Sequence, residues 1–129
     1  MINSNAYDYI NILDKAADGA WLRNEAIANN IANVDTPGYK RQDIDFESEL
    51  RRALKNNRYQ TVDEKVDNVI LDRLKPGTYR DHEMFSYRLD GNNVDIDTEN
   101  VELASNQIRY QGLIDSITQE FTNLKAVMK

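Results

Sequence analysis

Two narrow apolar stripes, one toward each end of the chain, restrict its fold more than any other feature of the sequence. Between residues 3 and 34, Asn3, Ala6, Ile10, Leu13, Ala17, Ala20, Asn24, Ile27, Ile31 and Val34 recur at alternating intervals of three and four. That alternation is the seam of a heptad repeat, and only the two asparagines interrupt its apolar character. Toward the other end, Leu103, Gln107, Tyr110, Ile114, Ile117, Phe121, Leu124 and Met128 alternate strictly at four and three, and Gln107 alone is polar. The opposite faces are polar. A long helix of this kind does not persist alone in water, because most helical stability comes from burying the apolar face. Each stripe needs a partner helix, and the nearest is the other end of the same chain. The expected fold is mainly α, with long N- and C-terminal helices paired as an antiparallel coiled coil. A short helix and a small β-hairpin are expected in the middle.

Local signals place the boundaries. Ser4 or Asn5 is expected to cap the first helix, with Asp8 favourable in its first turn. Pro37 lacks the N–H that a continuing helix needs, and Gly38 suits the positive φ of a type II turn. Asp97 or Thr98 is expected to cap the C-terminal helix, with Glu99 and Glu102 near its positive end. Gly19 and Gly112 weaken the helices by about 1 kcal/mol each relative to Ala. A short helix is expected from about Asp45 to Asn56, where Phe46, Leu50 and Leu54 repeat every four residues. Val62, Val66, Val69 and Ile70 fit a helix, but Val69-Ile70-Leu71 fits a strand equally well. Met84 to Leu89 reads as a strand, Asp90-Gly91-Asn92-Asn93 as a turn and Val94 to Asp97 as a returning strand. The organisation is one assembly unit in three parts: residues 1–34, 35–100 and 101–129.

Composition excludes several functions. The mean hydropathy is -0.72 and 29% of residues are charged, a thin apolar supply for a self-sufficient core. A net charge of -6 argues against nucleic acid, since phosphate binding needs clustered Lys and Arg. The basic residues are interleaved with acidic ones, and the pairs Lys40-Arg41 and Arg51-Arg52 read as solvated surface. With no cysteine, there is no disulfide framework or thiol nucleophile. Residues 1–34 hold no apolar run of signal-peptide length, and no stretch approaches a membrane span.

Chemistry-bearing constellations are also missing. His82 is the single histidine, so a His-pair zinc site is impossible. Asp90, Asn92, Asp95, Asp97 and Glu99 crowd oxygen atoms together, but the glycine stands second where a calcium loop needs it sixth. Asp43 and Asp45 read as helix caps rather than an acid–base pair. Neither a catalytic site, a metal, a cofactor nor a small-molecule substrate is expected.

The segment ANNIANVDTPGYKRQDIDF, residues 28–46, resembles the N-terminal signature of bacterial flagellar axial proteins. Its Asp-Ile-Asp-Phe ending narrows the likeness to the flagellar basal body rod protein family, nearest to the proximal rod members. YRLDGNNVDIDTENVELASNQIRYQGL, residues 87–113, resembles the same family's C-terminal signature. Asn30, Asn33, Thr36, Pro37, Gly38 and Tyr39 carry the first likeness. It implies a structural subunit of the basal body, exported by the flagellar type III system without a cleaved signal peptide and folding on assembly. It also implies copies of the chain, other rod subunits, and membrane ring and export-gate proteins as partners.

On that reading the assembly seam comprises Ile10, Leu13, Ala17, Ala20, Ile27, Ile31 and Val34 with Leu103, Tyr110, Ile114, Ile117, Phe121 and Leu124. Asn29, Asn30 and Asn33 either mark a fraying helix end or bond adjacent subunits. Phe46-Glu47-Ser48-Glu49-Leu50 has the Phe-x-x-x-hydrophobic form of the family's gate-recognition motif, and equally that of a short helix's core face. The alternatives are another rod subunit or, in a different class, a soluble helical adaptor. An adaptor would be a well-folded helical monomer in dilute solution, whereas a rod subunit would have frayed, protease-sensitive ends.

Overall fold

The computed structural model describes residues 5–55, 61–67, 69, 74–80 and 89–128. In chain order the elements are α1 (Asn5–Ala32), β1 (Gln42–Asp45), α2 (Glu47–Leu54), α3 (Val62–Asp67), β2 (Gly77–Arg80) and α4 (Ile96–Val127). The two long helices, α1 and α4, pack against each other as the stripes require. Their direction is antiparallel. Asn30 meets Glu99, Asn106 meets the Ala20 carbonyl, and Trp21 meets Tyr110, so contact positions rise along one helix as they fall along the other.

The seam between them is more polar than its sequence pattern. Ile10, Ala17, Ala20 and Ile27 of α1 are buried, and Leu13, Ile31 and Val34 are half-buried. On α4 the fully buried residues are Glu99 and Asn106. Leu103, Tyr110, Ile114, Ile117 and Leu124 are half-buried, and Phe121 is exposed. The polar seam position is therefore Asn106 and not Gln107, which is exposed. The cause is a bond of 2.8 Å from the Asn106 amide to the Ala20 carbonyl of the facing helix.

Several ends fall where the signals put them, and others move. The Tyr39 N–H donates to the Thr36 carbonyl at 3.2 Å across a turn with Gly38 at φ 74°, as a type II turn needs. Ser4 and the Asn5 side chain lie outside the described residues. The cap of α4 is Asp95, two residues before the expected position. Its carboxylate accepts from the N–H groups of Asp97 at 3.0 Å and Thr98 at 3.4 Å. The returning strand expected over Val94 to Asp97 is corrected by this cap: Val94 and Asp95 are irregular, and Ile96 and Asp97 are already helical. Residues 84–88 of the expected outgoing strand lie outside the described residues, and Leu89 is in a turn. A two-stranded antiparallel sheet is present, but β1 and β2 form it, running from Gln42 opposite Arg80 to Asp45 opposite Gly77.

The middle helices are short and locally capped. Asp45 accepts from the Ser48 N–H at 3.1 Å, starting α2 two residues later than expected. In α3, Thr61 and Glu64 each accept from the other's backbone N–H, at 3.3 and 3.0 Å. That reciprocal pair is a capping box, and it starts the expected helix, which takes in Val62 and Val66 and ends at Asp67. Val69 is irregular, and residues 70 and 71 lie outside the described set. Val66 is buried, and Tyr9 of α1 donates to Asp63 at 2.6 Å.

Gly19 has a reason to interrupt α1. A Cβ there would sit 3.0 Å from both Cβ and Cγ of Phe46, which is buried just before α2. Phe46 Cβ is bonded to its backbone, so it cannot yield without moving the chain. Gly19→Ala gains about 1 kcal/mol of helix propensity but overpacks this contact at a cost of about 1–3 kcal/mol. A lowered thermal midpoint is expected, and Phe46→Ala in the same chain should relieve only the part that comes from the ring atoms, because alanine keeps the Cβ that Gly19 faces. A raised midpoint for Gly19→Ala alone would show that Phe46 does not press on this position.

A second expectation concerns pH. A hydrogen bond to the Asp8 carboxyl raises the pKa of Asp67 above the ordinary Asp value, helped by desolvation and the nearby acidic groups. A raised carboxyl pKa means the folded chain holds the proton more tightly than the unfolded one. The Asp8–Asp67 link between α1 and α3 is therefore fully present below the ordinary Asp pKa and is lost as pH rises through the raised value. Carboxyl chemical shifts should show a high Asp67 midpoint that falls in Asp8→Asn. An unmoved midpoint would break the assignment.

Candidate functional site

The two signature segments meet in a polar clasp where α1 ends and α4 begins. Asn30, fully buried near the end of α1, is at its centre. Its amide nitrogen donates to the Gln42 carbonyl at 2.8 Å and to Glu99 at 3.2 Å. Its oxygen accepts from the Gln42 N–H at 2.8 Å and the Tyr39 hydroxyl at 3.0 Å. One side chain thus pairs with both backbone groups of Gln42, as a neighbouring strand would, and ties β1 to α1. Asn33 donates to the Asn29 carbonyl at 2.8 Å and accepts from the Thr36 hydroxyl at 3.1 Å. These bonds of Asn30 and Asn33 lie within the chain, and they hold the helix end rather than leaving it frayed.

Asn92 closes the clasp from the other segment. A helix leaves its last carbonyls without intrahelical partners. The Asn92 amide, itself fully buried, is shared among the carbonyls of Asn33, Val34 and Thr36 at 2.9, 3.0 and 2.9 Å. Around it the Gly38 N–H donates to Asp90 at 2.7 Å, Arg41 N–H donates to the Asn93 side chain at 2.8 Å, and Lys40 donates to the Gly91 carbonyl. Gly91 sits at φ 77°, which lets the chain turn here at no steric cost. Pro37 stays exposed at the tip.

Charges run through the centre. Glu99 is 1% exposed and receives Arg41 Nε at 2.8 Å. Arg41 also reaches Asp43 at 3.6 Å, and Asp43 forms an ion pair with Arg23, whose Nε lies 3.1 Å away and whose Nη2 donates to it at 3.5 Å. Arg23 lies 3.6 Å from both Glu47 and Glu102. Burial, and then the charge of Glu99, raise the Tyr39 hydroxyl pKa, while burial and then Asp43 raise that of Tyr79. Both hydroxyls therefore stay protonated as donors at neutral pH.

The expectation of solvated basic pairs is corrected at Lys40 and Arg41, which are half-buried in this network, and holds at Arg51 and Arg52, which are exposed. Asp43 is a buried ion-pair partner rather than a cap, whereas Asp45 does cap α2. Phe46 packs on α1, and Leu50 is half-buried beside a shallow hollow of α2. The residues missed from sequence are Arg23, Arg41, Asp43 and Glu99. Asn92 carried a readable sign, since Asx turns such as Asp90 to the Asn92 N–H, 3.1 Å, are common in Asp-Gly-Asn segments.

Removing one member of a buried ion pair strands the other, at a cost of about 3–5 kcal/mol. Arg41→Ala should therefore lower unfolding stability in urea by roughly that amount, and Glu99→Gln should cost less in the Arg41→Ala chain than in the parent. Additive losses would show that the two side chains are not coupled.

Among the described residues no group of His, Cys, Asp and Glu is arranged to hold a metal ion, and no helix is long and apolar enough to cross a membrane. Residues 22–40, spanning the end of α1 and the signature turn, match the family model described as flagella basal body rod protein. Over 122 residues the chain is 37% identical to the flagellar basal body rod protein FlgB of Bacillus subtilis (strain 168), covering 90% of this chain and 89% of that one. The FlgB of Borrelia hermsii is 36% identical over 96% of this chain and 93% of its own. That of Escherichia coli (strain K12) is 34% identical over 83% of each. Relatives of this identity over most of their length, together with the family pattern lying on the clasp, show that the chain belongs to the flagellar basal body rod protein family.

Proposed function

We propose that this protein is a proximal subunit of the flagellar basal body rod, exported by the flagellar type III system and completing its fold as it joins the growing rod. It is a structural rod subunit and not an enzyme, as its family membership implies. The observation that carries the assembly reading is the incomplete burial of α4. Within one chain its fully buried residues are both polar, while Val101, Ile108, Phe121, Val127 and Met128 remain exposed. Helices that bury so little apolar surface gain little against their ordering entropy, and neighbouring subunits would supply the missing cover. Of the seam residues named from the heptad pattern, those left half-buried or exposed, Leu13, Ile31 and Val34 with Leu103, Tyr110, Ile114, Ile117, Phe121 and Leu124, are the ones we assign to that closure. Ile10, Ala17, Ala20 and Ile27 close within the chain. Other rod subunits and copies of this chain are the natural partners, with membrane ring and export-gate proteins at the rod base.

Ile117 is half-buried beside α1 and tests the seam. A charge buried where helices close costs several kcal/mol unless paired. Ile117→Asp should block incorporation into the rod and abolish motility while the protein is still made and exported. Asp115→Ala, on the exposed face, should be nearly silent. A strain without the chain should retain the membrane ring and lack the rod. Normal motility of the Ile117→Asp strain would remove the seam from the assembly.

Phe46 and Leu50 are assigned to export-gate recognition in the unfolded chain, because Phe46 is covered once the chain folds. Phe46→Ala with Leu50→Ala should lower secretion at normal cytoplasmic levels. Secretion at the parental rate would leave the pair as packing residues only.

A further inference from the structure

On the side of the helix pair away from α2, α1 and α4 part to form a groove. One end is a cleft of about 210 Å³ lined by Trp21, Asn24, Asn106 and Tyr110, among others. Through Trp21 and Tyr110 it continues into a hollow of about 350 Å³ edged by Asp14 and Asp18. Trp21 is 54% exposed, and its ring centroid lies 6.1 Å from that of Tyr110. Two amide oxygens at the cleft, Asn24 Oδ1 and Asn106 Oδ1, are buried without a hydrogen-bond partner. Buried acceptors without donors are rare in folded proteins. The groove thus offers aromatic faces and two carboxylates, with the two amide oxygens covered beneath its floor. Its complement is a cationic, donor-rich side chain on an apolar stem, which cation–π attraction would also favour.

The chain carries that complement on α2. Leu50, Arg51, Leu54 and Lys55 edge one shallow hollow together with Glu47, whose charge is already met by Arg23 and Arg109. Arg51 and Lys55 are exposed and one helical turn apart, as Asp14 and Asp18 are on α1. Arg52 is already engaged with Glu49 at 3.1 Å. The chain's own α2 cannot reach its own groove. Phe46, at the start of α2, presses on Gly19, whereas Trp21 lies two residues further, about 200° around a helix that turns about 100° per residue.

We propose that the α2 face of one copy, Leu50, Arg51, Leu54 and Lys55, seats in the groove around Trp21 and Tyr110 of the next copy. The contact joins two different surfaces on opposite sides of the subunit. Such a heterologous contact does not satisfy itself within a pair, and it propagates into an open helical array unless its rotation closes a ring. This deepens the rod reading and rests on it.

The chain has no cysteine, so introduced ones report without background. Asp18→Cys and Arg51→Cys variants would be expressed together, basal bodies isolated, and the thiols bridged with a short bis-maleimide. A dimer of the two variants is expected, with none from Arg51→Cys paired with Asp97→Cys at the far end of α4. Basal bodies that contain both variants but yield no such dimer, or yield it equally with the control, overturn the groove contact and leave the rod reading standing. Basal bodies that exclude even the parental chain overturn both. A charge exchange gives a second readout. Asp18→Lys and Arg51→Asp should each reduce motility, and the two in one chain should regain it, which simple misfolding would not produce. A double variant no better than either single one counts against the pairing.

Discussion

A carboxylate as deeply covered as Glu99 is tolerated only where cations and donors meet it, and here Arg41 and Asn30 do so from the segment around the end of α1. Desolvating a charge costs several kcal/mol, and mutual attraction offsets this only when the geometry is good and the remaining acceptor positions are filled. That requirement makes register a matter of all or nothing. Sliding α4 by one turn along α1 would draw Glu99 away from Arg41 and Asn30 and leave it charged and unpaired. Asn106, seven residues and two turns further on the same face, repeats the device with the Ala20 carbonyl. An apolar seam of alanines and isoleucines tolerates slippage, because one small hydrophobe fits as well as the next. Two polar pins do not. Buried polar positions fix register in helical coils in the same way.

The pins also explain why the helix pair can be specific without being strongly stabilised. Small residues such as Ala17 and Ala20 bring the helices close but bury little area each, and the larger apolar residues of α4 stay partly uncovered. Hydrophobic gain scales with area removed from water, so most of what α4 has to offer remains unused in one chain. A chain that on the proposed route is exported unfolded and becomes rigid in a rod suits this division. The polar contacts define how the ends meet, and the apolar faces of α4 keep area uncovered that further burial could turn into stability.

Much of the architecture was legible in the sequence. Both terminal helices, the type II turn at Gly38 and the inward position of Phe46 followed from periodicity and turn chemistry, which are local. The hairpin was not. Val94 to Asp97 alternates like a strand, but Asp95 takes the N–H groups of Asp97 and Thr98 and starts the helix there. The sheet pairs β1 with β2, segments more than thirty residues apart, and no local pattern announces such a pairing. Arg41 read as surface and Asp43 as a helix cap, and only tertiary contact with Glu99 and Arg23 brings them inside. The Thr61-x-x-Glu64 box was written plainly and settles α3. Asn30 was legible as important but not as to why, since its partner, Gln42, depends on how the chain folds back after Pro37.

The clasp and the groove are consequences of one geometry. Trp21 and Tyr110 can flank a common opening only if α1 and α4 hold one offset, and that offset is set about nine to eleven residues away, where Asn30 meets Glu99. Over so short a span, at about 1.5 Å per residue, two straight helices transmit a shift at one end almost undiminished to the other. Gly19 acts across the pair in the complementary direction. By letting Phe46 approach α1 closely it holds β1 and α2 to one side, and among the described residues the groove of Trp21 and Tyr110 lies on the other. The family signature therefore does more than end a helix. Through Asn30, Arg41 and Phe46 it determines which surfaces of the subunit are covered by its own chain and which stay exposed.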